Sequence, residues 1–230
     1  MSVTLRFAAA LVVASFLHAP NAWAQSQLQI DWCIGTNDPM PDLTIAGCNA
    51  VINSGNYSGH SLAVAYNNRA IAYQAVGQYD RSIQDSDQAI RLDPNYARAV
   101  YNRGFTNEKQ GQDDRALADY SQAIRLDPDF GSAFNNRGSV FYRRGQYDRA
   151  LQDYDRAIEL DIGNANIYYN RSLAKRELGD SAGATEDYNT AVRMDPGIEH
   201  ALKSGTQGEK ICWEMMGCRT EGCYKNCKGA

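Results

Sequence analysis

A block that recurs every 34 residues constrains this chain more than any other feature. Its clearest markers are a glycine and an alanine that return at one fixed spacing: Gly77, Gly111, Gly145 and Gly179, and Ala89, Ala123, Ala157 and Ala191. A unit of this length is too short to enclose a core of its own, so it buries its apolar face against its neighbours. The chain is therefore predicted to be a repeat array, and its working part is expected to be a long surface.

Each repeat is predicted to contain two antiparallel helices. Four full repeats share one phase, at residues 63–96, 97–130, 131–164 and 165–198. The first helix carries a small residue at its eighth position and ends at the glycine, while the second alternates small and large side chains on one face. These spacings predict an all-α fold. The small residues at the eighth position are Ala70, Gly104, Gly138 and Ser172.

Shorter elements flank the four repeats. Residues 25–62 are predicted to cap the N-terminal end of the array, and the stretch from Pro41 to Gly55 has the apolar spacing of the second helix of an incomplete repeat. Residues 197–205 are predicted to form a capping helix at the other end. Residues 206–230 are rich in glycine and cysteine and form a separate tail.

The first 24 residues have the pattern of a secretory signal peptide. Arg6 precedes an apolar run, and the run is followed by Ala22-Trp23-Ala24, so cleavage is expected after Ala24. The apolar run is too short for a retained membrane anchor. We therefore expect a periplasmic or secreted protein whose mature chain has no membrane span.

Charge and cysteine content exclude some functions. Loss of Arg6 leaves 22 basic residues against 27 acidic ones, so the formal charge changes from −4 to −5, which disfavours nucleic acid as a partner. An even number of cysteines in an exported chain favours disulfides. The chain contains no C-x-x-C pair, the spacing that is typical of a structural zinc site. We predict a Cys33–Cys48 bridge and two bridges in the tail, with no metal and no cofactor. The six cysteines are Cys33, Cys48, Cys212, Cys218, Cys223 and Cys227.

The repeats resemble the tetratricopeptide repeat family. The resemblance covers residues 63–198 and includes the segments YNNRAIAY, YNRGFTNEKQG, FNNRGSVFYRRG and YNRSLAKRELG. It implies an α-solenoid, a right-handed superhelix of antiparallel helix pairs in which the first helices line a concave groove. Some members of the family clamp a peptide carboxylate with lysine, arginine and asparagine. That full clamp is absent here because the fifth position of the repeats has no lysine.

One asparagine recurs at the sixth position of every first helix. These residues are Asn68, Asn102, Asn136 and Asn170. The resemblance places the position on the groove, where an amide can bond the backbone of an extended peptide as both donor and acceptor. The alternative is that these amides bond neighbouring helices as part of the repeat framework.

Three larger side chains on the first helices are candidate anchors for a partner. Arg98 occupies the second position of its repeat, and Tyr101 and Tyr169 occupy the fifth, which holds Asn67 and Asn135 in the other two repeats. Tyrosine and arginine often dominate binding surfaces. The alternative for the tyrosines is packing between helices.

Opposite charges also recur at fixed phase. Such a pattern predicts ion pairs between repeats or a solvated face. The residues are Arg69, Arg103, Arg137 and Arg171, with Asp85, Asp119, Asp153 and Asp187.

The sequence predicts a scaffold without enzymatic activity that binds a peptide or a partner helix in the groove. Two alternatives stay open. The array could be a spacer in a cell-envelope complex that docks by its convex face, or the cysteine-rich tail could respond to redox state or metal. His60 and His200 belong to no catalytic or metal-binding motif.

Mass spectrometry of the exported, unreduced protein tests the processing and the cysteine chemistry together. We expect a chain that begins at Gln25, carries no metal and gains the mass of six hydrogen atoms on reduction. Free thiols or a bound metal in the tail would instead favour the redox- or metal-responsive alternative.

Overall fold

The computed structural model describes residues 19–34, 40–160 and 163–198, and within these ranges the chain forms ten helices and no strand. The chain divides into two compact units, residues 1–106 and residues 107–230, which are considered separately. The helices are α1 (Ala19–Ile34), α2 (Pro41–Asn53), α3 (Gly59–Ala75), α4 (Tyr79–Leu92), α5 (Ala97–Lys109), α6 (Asp113–Leu126), α7 (Gly131–Arg143), α8 (Tyr147–Leu160), α9 (Ala165–Glu177) and α10 (Ser181–Met194).

The recurring glycine ends the first helix of each repeat. Its φ is positive in all four, from 71° at Gly145 to 84° at Gly179, a conformation that strains any residue with a Cβ atom. The next residue then bonds back across the turn, as Gln78 does by donating its N–H to the Tyr73 carbonyl at 2.8 Å. This geometry satisfies carbonyls that the end of a helix leaves without partners.

The small residue at the eighth position lets the two helices of a repeat approach closely, as the sequence predicts. A Cβ atom on Gly138 of α7 would lie 2.9 Å from the Tyr154 ring of α8, which is closer than packing allows. Tyr154 is only 2% exposed, and Ala150 and Ala157 beside it are fully buried. Glycine opposite tyrosine therefore lets the two helices pack without a clash between their side chains.

The repeated arginines and aspartates form ion pairs that join helices. Three of the four arginines donate two hydrogen bonds to one carboxylate in the second helix of their own repeat, at 2.6–2.8 Å; the pairs are Arg69–Asp85, Arg137–Asp153 and Arg171–Asp187. The remaining Nη1 atom reaches the second helix of the preceding repeat, where the acceptors of these three arginines are Asn49, Ser121 and Asp155. One side chain thus fixes three helices. Arg103 pairs with Asp87 in the second helix of the preceding repeat.

The region before the first full repeat contains two helices where the sequence indicated one. Helix α1 packs against α2 and α3. Its residues Leu28, Ile30 and Trp32 alternate with the polar Gln29 and Asp31, and this period of two is typical of a strand, so the pattern did not predict a helix. Packing against α2 outweighs that local preference.

Two features hold α1 against α2. The Cys33–Cys48 disulfide, which the sequence predicts, brings the two Cα atoms to 4.5 Å, and both cysteines are buried. Gly47 lies where a Cβ atom would be 2.5 Å from the Gln29 carbonyl oxygen and 2.8 Å from Cβ of Trp32. The helices touch at a point where only glycine fits.

Several sequence predictions fall outside the described residues. These are positions 1–18 of the expected signal peptide, positions 199–205 of the capping helix, and the tail with Cys212, Cys218, Cys223 and Cys227. Ile198, at the start of the expected capping helix, is buried with Ala165 and Ala191. Within the described part of the chain, no helix has the length and apolar character needed to cross a membrane.

Replacing Gly47 with alanine should separate α1 from α2. Overpacking costs about 1–3 kcal/mol, which exceeds the roughly 1 kcal/mol that alanine adds in helix propensity. We expect the free energy of unfolding, measured by chemical denaturation of the oxidised protein, to fall. Gly183→Ala is the control, because there the new Cβ meets only the Asp180 carboxylate that caps α10, so the variant can lose this cap but no packing between helices. A Gly47→Ala variant as stable as the parent would contradict the close contact.

The Asp187 carboxylate gives the fold a pH dependence of known sign. Burial disfavours its charged form, but hydrogen bonds from Arg171 and Lys175 outweigh burial and hold its pKa below the ordinary value. A lowered folded pKa stabilises the protein above the unfolded value of about 3.9. That stabilisation is lost as the pH falls through the folded value.

Asp187→Asn should therefore lower the free energy of unfolding at pH 7 by about 2 kcal/mol and flatten its decline below about pH 4. Asp155→Asn is a matched control, because Asp155 bonds the same arginine from a half-exposed position. Its loss should cost at most about 1 kcal/mol. Equal effects of the two variants in urea denaturation across this pH range would contradict the assignment.

Candidate functional site

A relay of amide hydrogen bonds links the first helices of the unit formed by residues 1–106. Asn102 of α5 donates to Oδ1 of Asn67 at 2.7 Å, and Asn67 of α3 donates to Oδ1 of Asn68 at 3.3 Å. Asn68 in turn donates to the backbone carbonyl of Cys33 in α1 at 2.9 Å. The two bonds between helices each run from a later helix to an earlier one, and Asn67 is fully buried. The relay therefore fixes the mutual register of α1, α3 and α5.

The unit formed by residues 107–230 repeats this relay 68 positions later. Asn170 of α9 donates to Oδ1 of Asn135 in α7 at 3.0 Å, and Asn135 donates to Oδ1 of Asn136 at 3.1 Å. Both units thus use the asparagines between helices, the second of the two roles that the sequence left open. Binding by the same side chains stays a prediction.

The asparagine amides differ in the hydrogen-bond donors and acceptors that they leave unused. Asn102 is half-buried; its Oδ1 makes no hydrogen bond with the described residues, and one of its two N–H groups is unused. Asn68 is also half-buried, but its Oδ1 already accepts from Asn67. Asn102 is therefore the amide that keeps a donor and an acceptor together.

Asn170 is placed differently from the other three. It is only 5% exposed, and its buried Oδ1 has no hydrogen-bond partner among the described residues. In the odd repeats an asparagine precedes this position and donates to it, whereas Tyr169 stands there in the last repeat. The Tyr169 hydroxyl lies at the far end of a long side chain, so it cannot donate to the adjacent residue as an asparagine amide does. The sequence pattern, which is identical at all four positions, did not reveal the difference.

Arg98 is exposed in the first turn of α5 and makes no ion pair or hydrogen bond with any described residue. The first turn contains no acidic residue, and the amides at a helix N-terminus repel a cation. All four arginines at the seventh position of the repeats do have carboxylate partners. Arg98 is thus a cation whose position no contact within the described chain explains.

The two candidate tyrosines lie half-buried on their first helices. The Tyr169 ring packs against Tyr188 at a centroid distance of 6.4 Å and borders the core of the second unit. Burial raises its pKa, which keeps the hydroxyl protonated at physiological pH. Tyr169 therefore contributes to helix packing, and a role in binding stays a prediction for both tyrosines.

Two exposed isoleucines adjoin the relay and were not singled out from the sequence. Ile71 is 41% exposed and lies one helical turn beyond Asn68, and Ile34 is 51% exposed and directly follows Cys33. A comparison of the repeats could have found Ile71, because the equivalent position of the third repeat holds the polar Ser139 and is therefore expected to face solvent. Ile34 could not be found in this way, since α1 itself was not expected.

Other parts of the described chain offer less. Among residues 19–34, 40–160 and 163–198, no three His, Cys, Asp or Glu side chains group as metal ligands. His60 pairs with Asp93, lowering the pKa of that carboxyl, and packs edge-on against Tyr96. An open cavity near Tyr66 is lined mainly by polar groups, and Arg69 and Asp85 in its wall already pair with each other.

Comparison with solved structures gives the same fold. MamA is 20% identical, with a TM-score of 0.59 over 70% of this chain and 91% of that one. MamA 41-end from Desulfovibrio magneticus RS-1 is 18% identical, with a TM-score of 0.61 over 78% and 96%. YrrB, described as a TPR protein with an unusual peptide-binding site, is 19% identical, with a TM-score of 0.59 over 81% and 96%. At these identities the likeness concerns the fold alone.

Comparison at the level of sequence identifies the repeats. No curated protein sequence matches this chain. Models of the tetratricopeptide repeat match residues 106–165 and 165–198, and a further TPR repeat model matches residues 70–111. Together these matches run from residue 70 to residue 198, which is more than half of the chain. With its four helix pairs of 34 residues, the chain therefore belongs to the tetratricopeptide repeat family.

Proposed function

We propose that this protein is a non-enzymatic binding scaffold that holds a peptide or a partner helix along its first helices. Its tetratricopeptide repeats support the broader role of a protein-interaction scaffold. The observation that carries the finer proposal is the amide of Asn102, which keeps an unused donor and an unused acceptor. An extended peptide offers the complementary N–H and carbonyl groups along its whole length.

The relay prepares Asn102 for this role. Its hydrogen bond to Asn67 holds the amide plane in one orientation before any partner arrives. A side chain that is already fixed loses little conformational entropy on binding, so more of the interaction energy appears as affinity. Backbone bonds of this kind do not depend on the peptide sequence, and neighbouring side chains must supply selectivity.

Two further observations support the proposed function: the likeness to YrrB and the Cys33–Cys48 disulfide. YrrB shares the fold and is described as having a peptide-binding site, although its low identity transfers no residues. The buried Cys33–Cys48 bridge favours an oxidising compartment, which agrees with the expected signal peptide. We therefore place the binding function in the periplasm or outside the cell, with a protein or peptide as partner.

Photo-crosslinking in cells that export the protein tests the proposal. A photoreactive residue replaces Ala75, two turns beyond Asn68, or Ser132, one turn before Asn136. Both positions are exposed, so substitution leaves the relay intact. We expect a discrete adduct, identified by mass, from these first-helix positions.

The controls are Gln84 on α4 and Gln152 on α8, exposed residues on the second helices. They are 68 positions apart and occupy the same repeat phase. Adducts from the controls alone would move the function to the outer face and favour the spacer alternative. Absence of any adduct from both first-helix positions would also overturn the proposal.

A further inference from the structure

We infer that the first helices of residues 1–106 select a peptide segment in which an acidic and an apolar side chain lie about four residues apart in extended chain. The inference rests on the proposed function and specifies its partner. It comes from the contrast between the two units, from the charge of Arg98 and from the exposure of Ile71. Arg98 would bind the acidic group and Ile71 the apolar one.

The two units combine a shared framework with different side chains around it. The amide relay is the same in both, with Asn102 bonded to Asn67 and Asn170 bonded to Asn135. One turn beyond the relay, the first unit has Ile71 where the second has Ser139. One turn before it, the first unit has Arg98 where the second has Asn166. No shared structural contact keeps these positions alike, so each unit can present its own side chains to a ligand.

The positive charge of Arg98 favours a ligand with an acidic group. Arg98 stands at the positive end of the α5 dipole without any acid in the first turn. A carboxylate beside it would pair with the guanidinium and also interact favourably with the helix terminus.

The exposed side chains of Ile71 and Ile34 favour an apolar side chain elsewhere in the ligand. Ile71 follows Asn68 by one helical turn, and Ile34 follows Cys33, whose carbonyl accepts from Asn68. The two isoleucines expose 41% and 51% of their surfaces. A branched side chain laid between them would remove apolar area of all three groups from water. The amide of Asn102 would bond the intervening peptide backbone.

The helix geometry gives the spacing. Ile71 lies three residues after Asn68, and Arg98 lies four residues before the equivalent Asn102. The two side chains are therefore offset by roughly 10 Å along the axes and roughly 9 Å across them. The diagonal of roughly 14 Å corresponds to about four residues of extended chain.

Fluorescence anisotropy with labelled synthetic peptides tests the inference on the oxidised, full mature chain. One peptide carries aspartate and leucine four positions apart in a neutral polar background, and the second has the same composition with the two residues adjacent. We expect the spaced peptide to bind at least about 10-fold more tightly. We also expect its binding to weaken as salt rises, because the charged contact is exposed.

Arg98→Asn and Ile71→Ser copy residues of the second unit at the same phase, so both should fold. Each should weaken the spaced peptide by about 5-fold or more, and Arg98→Asn should also remove most of the salt dependence. Arg125→Asn, which removes another exposed arginine without a partner, is the control and should change neither.

Equal binding of the two peptides, or equal effects of Arg98→Asn and Arg125→Asn, would overturn the inference. Adducts from Ala75 in the crosslinking experiment would in that case leave the proposed function standing with a different ligand chemistry. Absence of adducts from the first helices would remove both.

Discussion

The arginine at the seventh position of the repeat determines how one helix pair meets the next. The seam around it consists largely of buried alanines such as Ala89, Ala123 and Ala157. Burial of such small apolar groups is favourable but has no direction, so it fixes neither rotation nor register. The bidentate pair with aspartate and the third bond to the preceding helix supply that direction. Because these groups are partly shielded from water, loss of one partner would leave a costly unpaired charge.

The asparagine relay applies the same logic to the first helices and limits what evolution can change there. Asn102 could not be replaced without leaving the buried Oδ1 of Asn67 unpaired, so a change in binding at that residue also lowers stability. Arg98 and Ile71 make no such contact and can vary freely. Selectivity is therefore expected to change at positions beside the relay, which is where the two units differ.

Regular features of the fold were predictable from the sequence because the same turn and the same helix contact recur in each repeat and require the same type of residue. The glycine at 77, 111, 145 and 179 marks a left-handed turn, and the small residue at 138 marks a close helix contact. Cys33 and Cys48 could be paired because both lie outside the repeats and far from the tail. Irregular features were not predictable. Helix α1 has a strand-like pattern and is stabilised by tertiary contacts. Asn170 is buried whereas Asn102, which also follows a tyrosine, is half-buried, so the repeat pattern does not predict this difference.

The disulfide shows how a helix pair with only one described neighbouring repeat can stay attached to the array. Helix α1 packs against α2 and α3, so it has fewer surfaces to bury than a first helix between two repeats. The bridge closes a sequence separation of 15 residues, which by chain-entropy arguments stabilises the folded state by about 3 kcal/mol. That is comparable to the contribution of burying one or two large apolar side chains. Since the relay ends on the Cys33 carbonyl, the bond that holds α1 also fixes the last acceptor of the amide row.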